Sequence, residues 1–584
     1  MNIKEEIIEI IAETIKKVFA INKDLQEITT LIKISIPPNP EMGDFALECF
    51  PFAKLLGLAP VAIAEKITEN LSGKLFSEVK NIGPYVNIKL DNKEYFNRIL
   101  GNLAVAIDTQ KSTGQKVTVE YLSPNTNKPL HLGHVRNGCL GSSIANIQSH
   151  IGNKTVKLNL VNDRGVHICK SMLAWQKFGN GETPESTGLK GDHFVGKYYV
   201  RFAQESDKNP ELNDEAQAML KKWEDGDKEV LELWQKMNAW VYAGFKKTYL
   251  DLGFRFDKIY YESNTYKLGK NIVQEGLEKG VFKKDENDLI YYILPESEFG
   301  LDQDNKEKKV VVTRGDGTTV YITQDMGTAV ERFKDYNFNE SIYVVGSEQR
   351  YHFKCLISIL SALGYDWAKS IRHFAYGMVY LPEGKMKSRE GKVVDADNFF
   401  KEMLDMAKQA IQEKHDDLNS EEVERRAHII ALGAIKFYIL RVGAEQDIHF
   451  DPKESISFTG FTGPYCQYAF ARISGILKKA EEEDIKYDGA DLSLLGNTEE
   501  KILLQKILLF QEKVKESAVS LSPSTLALHV YETAKAFNQF YHQHKVLNAE
   551  TPELVKSRLM LSRSVAQMIK KGLELLGIEV LENM

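Results

Sequence analysis

The stretch Glu120-Tyr-Leu-Ser-Pro-Asn125-Thr-Asn-Lys128-Pro-Leu-His131-Leu-Gly-His134-Val-Arg136 decides the reading of this chain. A β-rich run, Val117 to Leu122, leads into it, and a helix-compatible run, Val135 to Ile147, leaves it. Between them two imidazoles stand three residues apart across Gly133. A strand that turns into a helix N-terminus suits a nucleotide triphosphate, because the first helical turn offers free N–H groups and a positive dipole end to an anion. The histidines add donors for phosphate, and Gly133 lets a flat base approach the backbone. Taken alone, His131-Leu-Gly-His134 fits core histidines or a metal pair equally well. The flanking strand, helix and Ser-Pro-Asn-x-x-Lys weigh toward the nucleotide, and no third ligand cluster sits nearby to favour a metal.

At 584 residues the chain exceeds a single hydrophobic core, so three or four domains are expected. A hydrophobic share of 43% and a charged share of 27% are those of a soluble globular protein. No stretch reaches the roughly 20 apolar residues of a membrane span. The start MNIKEEIIEI is acidic where a secretory signal is basic and then apolar, which points to the cytoplasm. Cys49, Cys139, Cys169, Cys355 and Cys466 form no C-x-x-C pair, so buried free thiols are expected. A net charge of −7 weakens the case for a nucleic-acid partner without closing it, since binding depends on local basic faces.

The pattern predicts an α/β protein in three parts. Residues 1–110 read as a small α/β domain. They open with an amphipathic helix carrying Ile7, Ile8, Ile11, Ile15 and Val18, and include an alternating strand from Gly83 to Leu90. Residues 111–410 alternate short β-branched runs (Val156 to Val161, Val310 to Thr313, Ser341 to Val345, Phe374 to Leu381) with helical stretches. That is the pattern of a Rossmann-like parallel sheet covered by helices. Long charged helical stretches at about 185–305 read as an insertion in that fold. Residues 411–584 lack strand signals and read as an all-α bundle.

About 250 residues beyond the histidines comes Gly377-Met378-Val379-Tyr-Leu-Pro-Glu-Gly384-Lys385-Met386-Lys387-Ser388-Arg389-Glu-Gly391-Lys392. A glycine-flanked basic loop after a strand can close over polyphosphate, neutralising charge that develops at the α-phosphorus. By itself such a loop is a basic surface turn. Paired with the first signature at this separation it argues for one phosphate site.

These two strings resemble the H-I-G-H and K-M-S-K-S signatures of class I aminoacyl-tRNA synthetases. The wider chain resembles the arginyl-tRNA synthetase family nearly end to end. Ser123-Pro-Asn125-x-x-Lys128-Pro, Tyr321-Ile-Thr-Gln-Asp325, Val345-Gly346-Ser-Glu-Gln349-Arg-Tyr-His352-Phe, Gly463-Pro-Tyr-Cys-Gln467-Tyr468-Ala-Phe-Ala-Arg472 and Gly572-Leu-Glu-Leu-Leu-Gly577 follow that family's order. The resemblance implies an arginine-tRNA ligase that activates L-arginine with ATP and Mg²⁺ and transfers it to the 3′ end of tRNA(Arg). It implies catalytic roles for Lys128, His131, His134, Lys385 and Lys387. ATP would meet His131, Gly133, His134, Gly346, His352, Met378, Val379, Lys385, Met386, Lys387 and Ser388. The arginine pocket maps onto Glu120, Asn125, Tyr321, Asp325 and Gln349. That set makes chemical sense, since a guanidinium is a planar fork of donors that asks for carboxylates, amide oxygens and an aromatic face. No dedicated protein metal site is implied, and a monomer is expected.

Two departures stand out. Ser388 occupies the place of the family's second loop lysine, and Lys128, just before the histidine motif, would substitute, with Lys385, Lys387 and Arg389 sharing the task. Asn162-Asp163-Arg164-Gly-Val-His167 replaces a tryptophan-rich family string, which leaves Asp163, Arg164 and His167 without an assigned role. The first domain resembles the family module that meets the corner of tRNA. Tyr85 would stack on an unpaired base and Asn87 bond its edge, as unpaired RNA bases are read. The bundle would grip the anticodon, with Gln467, Tyr468 and Arg472 as candidates. The competing readings are a sister class I synthetase, a nucleotidyltransferase sharing the histidine motif, and a catalytically inactive tRNA-binding paralogue.

Overall fold

Five short runs, each rich in β-branched or aromatic residues, form one parallel sheet: β1 (Lys116–Glu120), β2 (Lys154–Val161), β3 (Lys258–Tyr261), β4 (Glu340–Gly346) and β5 (Ile371–Tyr376). The computed structural model describes residues 3–37, 39–101, 107–108, 110–315, 317–381, 394–414 and 417–584. The strand order is β5-β4-β1-β2-β3, with every neighbouring pair parallel. Such a doubly wound sheet reverses direction between β1 and β4, and a crevice opens outside the carboxyl ends of its strands there. β1 is central and buried on both faces, which is why Val117, Thr118 and Val119 read as a continuous run rather than an alternation.

The helix Leu132–His150 follows β1 and is buried on nearly every side. It can lie that close because of two glycines: a Cβ at Gly141 would stand 2.3 Å from Tyr121 and one at Gly138 2.5 Å from the Phe254 ring. Its far end docks on the C-terminal bundle, where Gln148 Nε2 donates to the Ala518 carbonyl at 3.0 Å and Ser143 Oγ to that of Leu575 at 3.2 Å. The bundle comprises the helices Ser420–Leu440, Gly463–Glu482, Thr498–Ser520, Pro523–Gln543 and Pro552–Leu575.

The excursions differ from the expected single insertion at 185–305. The helical part, Val166–Phe178 through Lys228–Asp251, lies between β2 and β3. β3 itself falls inside the expected insertion and belongs to the central sheet. At four residues between charged helices it is too short to stand out as a strand in the sequence. Val310 to Thr313, expected in the parallel sheet, instead forms the edge of a three-stranded antiparallel sheet with Ile290–Ile293 and Phe282–Lys284. The N-terminal part holds a four-stranded antiparallel sheet and the helix Ile3–Val18, whose Ile7, Ile11 and Ile15 are fully buried. Among the described residues no helix is long and apolar enough to cross a membrane.

His529 in the bundle is 3% exposed and donates from Nε2 to the Lys506 carbonyl at 3.0 Å. Burial, and then the nearby Lys506 ammonium, pull its pKa down to about 4. The unfolded chain takes up this proton near pH 6.5 and the folded chain only near pH 4, so the unfolded state binds more protons between those values. Stability that is present above pH 6.5 is therefore lost as pH falls toward 4, by up to roughly 3 kcal/mol for this residue. His529→Gln keeps an amide donor for Lys506 and should show a shallower fall in melting temperature between pH 6.5 and 4.5; superimposable profiles would refute this.

Candidate active site

The chain leaves β1 through two consecutive non-glycine residues in the left-handed region, Leu122 (φ 75°) and Ser123 (φ 44°). Such conformations cost about 1–3 kcal/mol each and persist only where the surroundings fix them. Asn137 on the following helix supplies the fixing. Its Oδ1 accepts from Leu122 N at 2.5 Å, and its Nδ2 donates to the Val344 carbonyl of β4 at 2.7 Å and the Tyr376 hydroxyl of β5 at 3.0 Å. One buried amide thus ties the ends of three strands together at the switch point.

His131 is the N-cap of the helix, with extended backbone. Its Nδ1 accepts from Gly133 N at 3.1 Å, while His131 N donates to His134 Nδ1 at 3.1 Å. This is a capping box built from two imidazoles. The turn consumes the backbone donors expected to meet the anion: Leu132 N donates to the Val394 carbonyl at 2.9 Å and His134 N to that of His131 at 2.7 Å. The donors left are the ring nitrogens. With both Nδ1 atoms accepting, each ring is the neutral tautomer carrying its proton on Nε2. Burial, and then the Lys128 ammonium, hold the His131 pKa near 4; burial, then His131 and Lys128, push that of His134 well below its ordinary value. The ring centroids lie 3.9 Å apart, and a Cβ at Gly133 would press the His131 ring at 3.0 Å. The result is two N–H donors on rings tilted 46° to each other that stay neutral at pH 7, with the exposed Lys128 beside them.

Lys385, Met386, Lys387, Ser388 and Arg389 lie outside the described residues. The chain on both sides of that loop is bonded to the histidine turn. Behind it, Ala396 N donates to the Leu130 carbonyl at 3.0 Å, which brackets His131 together with the Leu132–Val394 bond. Ahead of it, Arg136, 1% exposed, donates to the carbonyls of Met378 (2.8 Å), Ala444 (2.7 Å) and Gln446 (2.6 Å). Met378 is exposed, and Val379 pairs with Ile448 in a short parallel ladder.

Across the crevice, the helix Tyr321–Tyr336 presents Tyr321 and Asp325 on its first turns, and the helix Arg350–Ala362 begins at its N-cap Gln349, just past the buried Gly346 that ends β4. Tyr321 is 73% exposed. Asp325 Oδ2 lies 2.6 Å from His352 Nε2, so His352, expected on the nucleotide, meets the acid through that nitrogen. Asn125 is exposed and pairs with Asn162 in an isolated parallel bridge.

Two acids behave differently from expectation. Glu120, expected against arginine, is 6% exposed; one oxygen accepts from Ser123 Oγ at 2.8 Å and the other is ion-paired with Arg332. That guanidinium is fully buried, 4.9 Å from the Tyr343 ring and 5.3 Å from the Tyr260 ring. Glu120 is therefore ion-paired with an internal arginine. Glu262, which the motifs did not flag, is a second buried acid that interacts electrostatically with Asp325. It is 5% exposed at the start of the helix following β3. Its pKa is raised to about 7, by burial first, with Arg164 opposing and the neighbouring Asp163 and Asp325 charges adding to the rise. Only its type and burial mark it; nothing local in the sequence does.

The three residues left without an assigned role make contacts within the protein. Asp163 is 1% exposed and accepts from Tyr242 (2.7 Å) and from Ser263 N (2.8 Å) and Oγ (2.7 Å), fastening the helical excursion to β3. Arg164 pairs with Glu224, lies 3.9 Å from Glu262 and stands 4.3 Å from the Tyr266 ring. His167 Nδ1 sits 3.0 Å from the Tyr199 hydroxyl. Among the described residues, Asp192, His193 and Asp397 have metal-ligand spacing, but the Lys190 ammonium pairs with both aspartates and already supplies the cation.

Of the residues expected on RNA, Tyr85 is 39% exposed and edge-on to the exposed Phe50 at 5.9 Å. Asn87 is 3% exposed and cannot offer its amide to a base; it sits mid-strand between Ala46 and Lys80, whereas Tyr85 stands at the hairpin end. Gln467 is fully buried and donates to the carbonyls of Ile429 (3.2 Å) and Glu579 (2.8 Å), so it is a core bolt. Tyr468 and Arg472 are half-buried, with the guanidinium 4.8 Å from the ring, and both line a surface pocket of about 430 Å³.

Residues 97–451 match the family model described as tRNA synthetases class I (R), catalytic domain. Residues 5–90 match the arginyl tRNA synthetase N terminal domain and residues 466–584 the DALR anticodon binding domain. The chain is 46% identical to the arginine–tRNA ligase of Parabacteroides distasonis over 567 residues, covering 93% of this chain and 94% of that one. It is 43% identical to that of Phocaeicola vulgatus, covering 100% of both. Its fold superposes on the Thermus thermophilus arginyl-tRNA synthetase with a TM-score of 0.80 at 26% identity, covering 99% of each chain.

Proposed function

The chain belongs to the arginyl-tRNA synthetases and is an arginine–tRNA ligase that uses ATP, and from that premise we propose how its residues divide the work. The paired imidazoles and Lys128 hold the triphosphate. The slot made by Asp325 and Glu262, with Tyr321, Asn125 and Gln349 at its mouth, holds arginine. Glu120 supports this floor through Arg332 rather than touching the substrate. The observation that carries the proposal is that both imidazoles spend Nδ1 on each other's turn and keep Nε2–H for a ligand, at the switch point that also carries Asp325.

In the first step the arginine carboxylate attacks the α-phosphorus and pyrophosphate leaves with the broken P–O electron pair. In the second a terminal ribose hydroxyl of tRNA attacks the arginyl carbonyl and AMP leaves. No protein nucleophile is needed; the protein contributes positioning and charge stabilisation. Preorganised N–H donors meet negative charge as it grows on the phosphates. Gly346, Met378 and Val379 line the nucleotide side, and Lys385, Met386, Lys387 and Ser388 follow from the loop. A Mg²⁺ ion bound with ATP would supply further charge neutralisation at the phosphates, with no protein carboxylate assigned to it. Tyr85 with Phe50, and Tyr468 with Arg472, offer stacking faces to unpaired tRNA bases. We further propose a monomer working in the cytoplasm, a compartment that suits five free buried cysteines.

The test is amino-acid-dependent ATP–pyrophosphate exchange in the presence of tRNA, run with a panel of amino acids and as a function of pH. Arginine alone should support exchange. Because a cationic guanidinium needs an ionised partner, the KM for arginine should rise as pH falls below about 7, where Glu262 takes up a proton, by up to about tenfold per unit. Glu262→Gln should raise that KM at pH 8 and flatten its pH dependence. Exchange with another amino acid, or an unchanged profile in the variant, would contradict the assignment.

A further inference from the structure

We propose that His352 is a positioning residue of the arginine pocket, fixing the plane of the Asp325 carboxylate, and not a ligand of the nucleotide. The inference rests on Asp325 being the guanidinium partner. Both groups sit on the first turns of their helices, at the same edge of the sheet, and face each other directly: Nε2 to Oδ2 is 2.6 Å. A nitrogen committed to that bond is not available to phosphate or base. The ring's other supports are apolar. Phe353 meets it edge-on at 5.8 Å, and Phe353 is itself stacked on His373 at 4.6 Å beside β4, so the imidazole is seated against the sheet.

The consequence is chemical. A carboxylate free to rotate about its last bond satisfies any cation. Asp325, with Oδ2 pinned and its side chain 35% exposed, offers a fixed edge, and such an edge matches the planar donor fork of a guanidinium far better than the point charge of an ammonium. His352 thereby contributes to choosing arginine over lysine while touching neither. A hydrogen bond to a charged group of this kind is worth on the order of tenfold to hundredfold in binding.

The experiment measures KM for arginine and for ATP separately in tRNA-supported pyrophosphate exchange. His352→Ala should raise the arginine KM tenfold to hundredfold and leave the ATP KM within twofold. His352→Gln, whose amide N–H can still donate to Oδ2, should recover most of the loss. In an Asp325→Asn background, His352→Ala should cost little more, because the group it positions is already altered. A rise in the ATP KM with an unchanged arginine KM would make His352 a nucleotide ligand and overturn the inference, as would equal losses in the alanine and glutamine variants. If Asp325→Asn itself leaves the arginine KM unchanged, the pocket assignment falls. If Asp325→Asn raises it and His352→Ala does not, only the role of His352 falls.

Discussion

His131→Asn is expected to lower kcat for pyrophosphate exchange by about 10²–10³, the usual cost of removing one transition-state donor from a preorganised site, while leaving the melting temperature close to that of the parent. Asparagine is among the best N-cap residues, so its side-chain oxygen can accept from Gly133 N as His131 Nδ1 does. What it lacks is the second nitrogen on the far side of the ring. His131→Ala should lose both functions: the same kcat and, from the missing cap, about 1 kcal/mol of stability. His134→Ala should match it in rate, because the two rings face the same charge from 3.9 Å apart. The double variant should fall little below either single one, as groups that act as a unit are far from additive. An activity that tracked the melting temperature across these variants would show that the histidines are structural alone.

Asp325→Ala is expected to reduce kcat/KM for arginine by roughly 10²–10⁴, corresponding to about 3–5 kcal/mol for removing one partner of a desolvated charge pair. It should leave ATP binding and melting temperature nearly unchanged. The side chain is partly exposed at a helix start and makes one hydrogen bond, to His352, so little of the fold depends on it. Glu262 remains as a second acid, which keeps the residual activity measurable and specific for arginine.

Local signals explain what the chain discloses before folding. The histidine turn is legible because strand, cap and helix are contiguous, and the parallel sheet because β1, β2 and β4 carry β-branched runs. The details that depend on distant partners are not. That Glu120 is spent on Arg332 requires bringing together residues more than 200 apart, and nothing near Glu262 announces that β3 delivers it next to Asp325. Tyr85 and Asn87 share one face of a strand by alternation, and both are paired on either side, yet only Tyr85, at the hairpin end, is open. Gln467 stands in a family motif but bolts a helix to the tail, a role that its polarity alone could not distinguish from surface recognition. The backbone donors of the signature helix look free in a linear reading and are consumed by the turn itself.

The account depends on one geometry, in which neutral imidazoles meet the phosphate from Nε2 in the same crevice where Asp325 meets the guanidinium. A crystal structure with a non-hydrolysable arginyl-adenylate analogue measures both ends at once. It should place the Nε2 atoms of His131 and His134 within hydrogen-bond distance, about 2.7–3.2 Å, of the phosphate mimic, with Asp325 and Glu262 on the guanidinium and His352 still on Asp325. An analogue held through Nδ1, or one that reaches the histidines while residues 262 and 325 line a separate cavity, would contradict it.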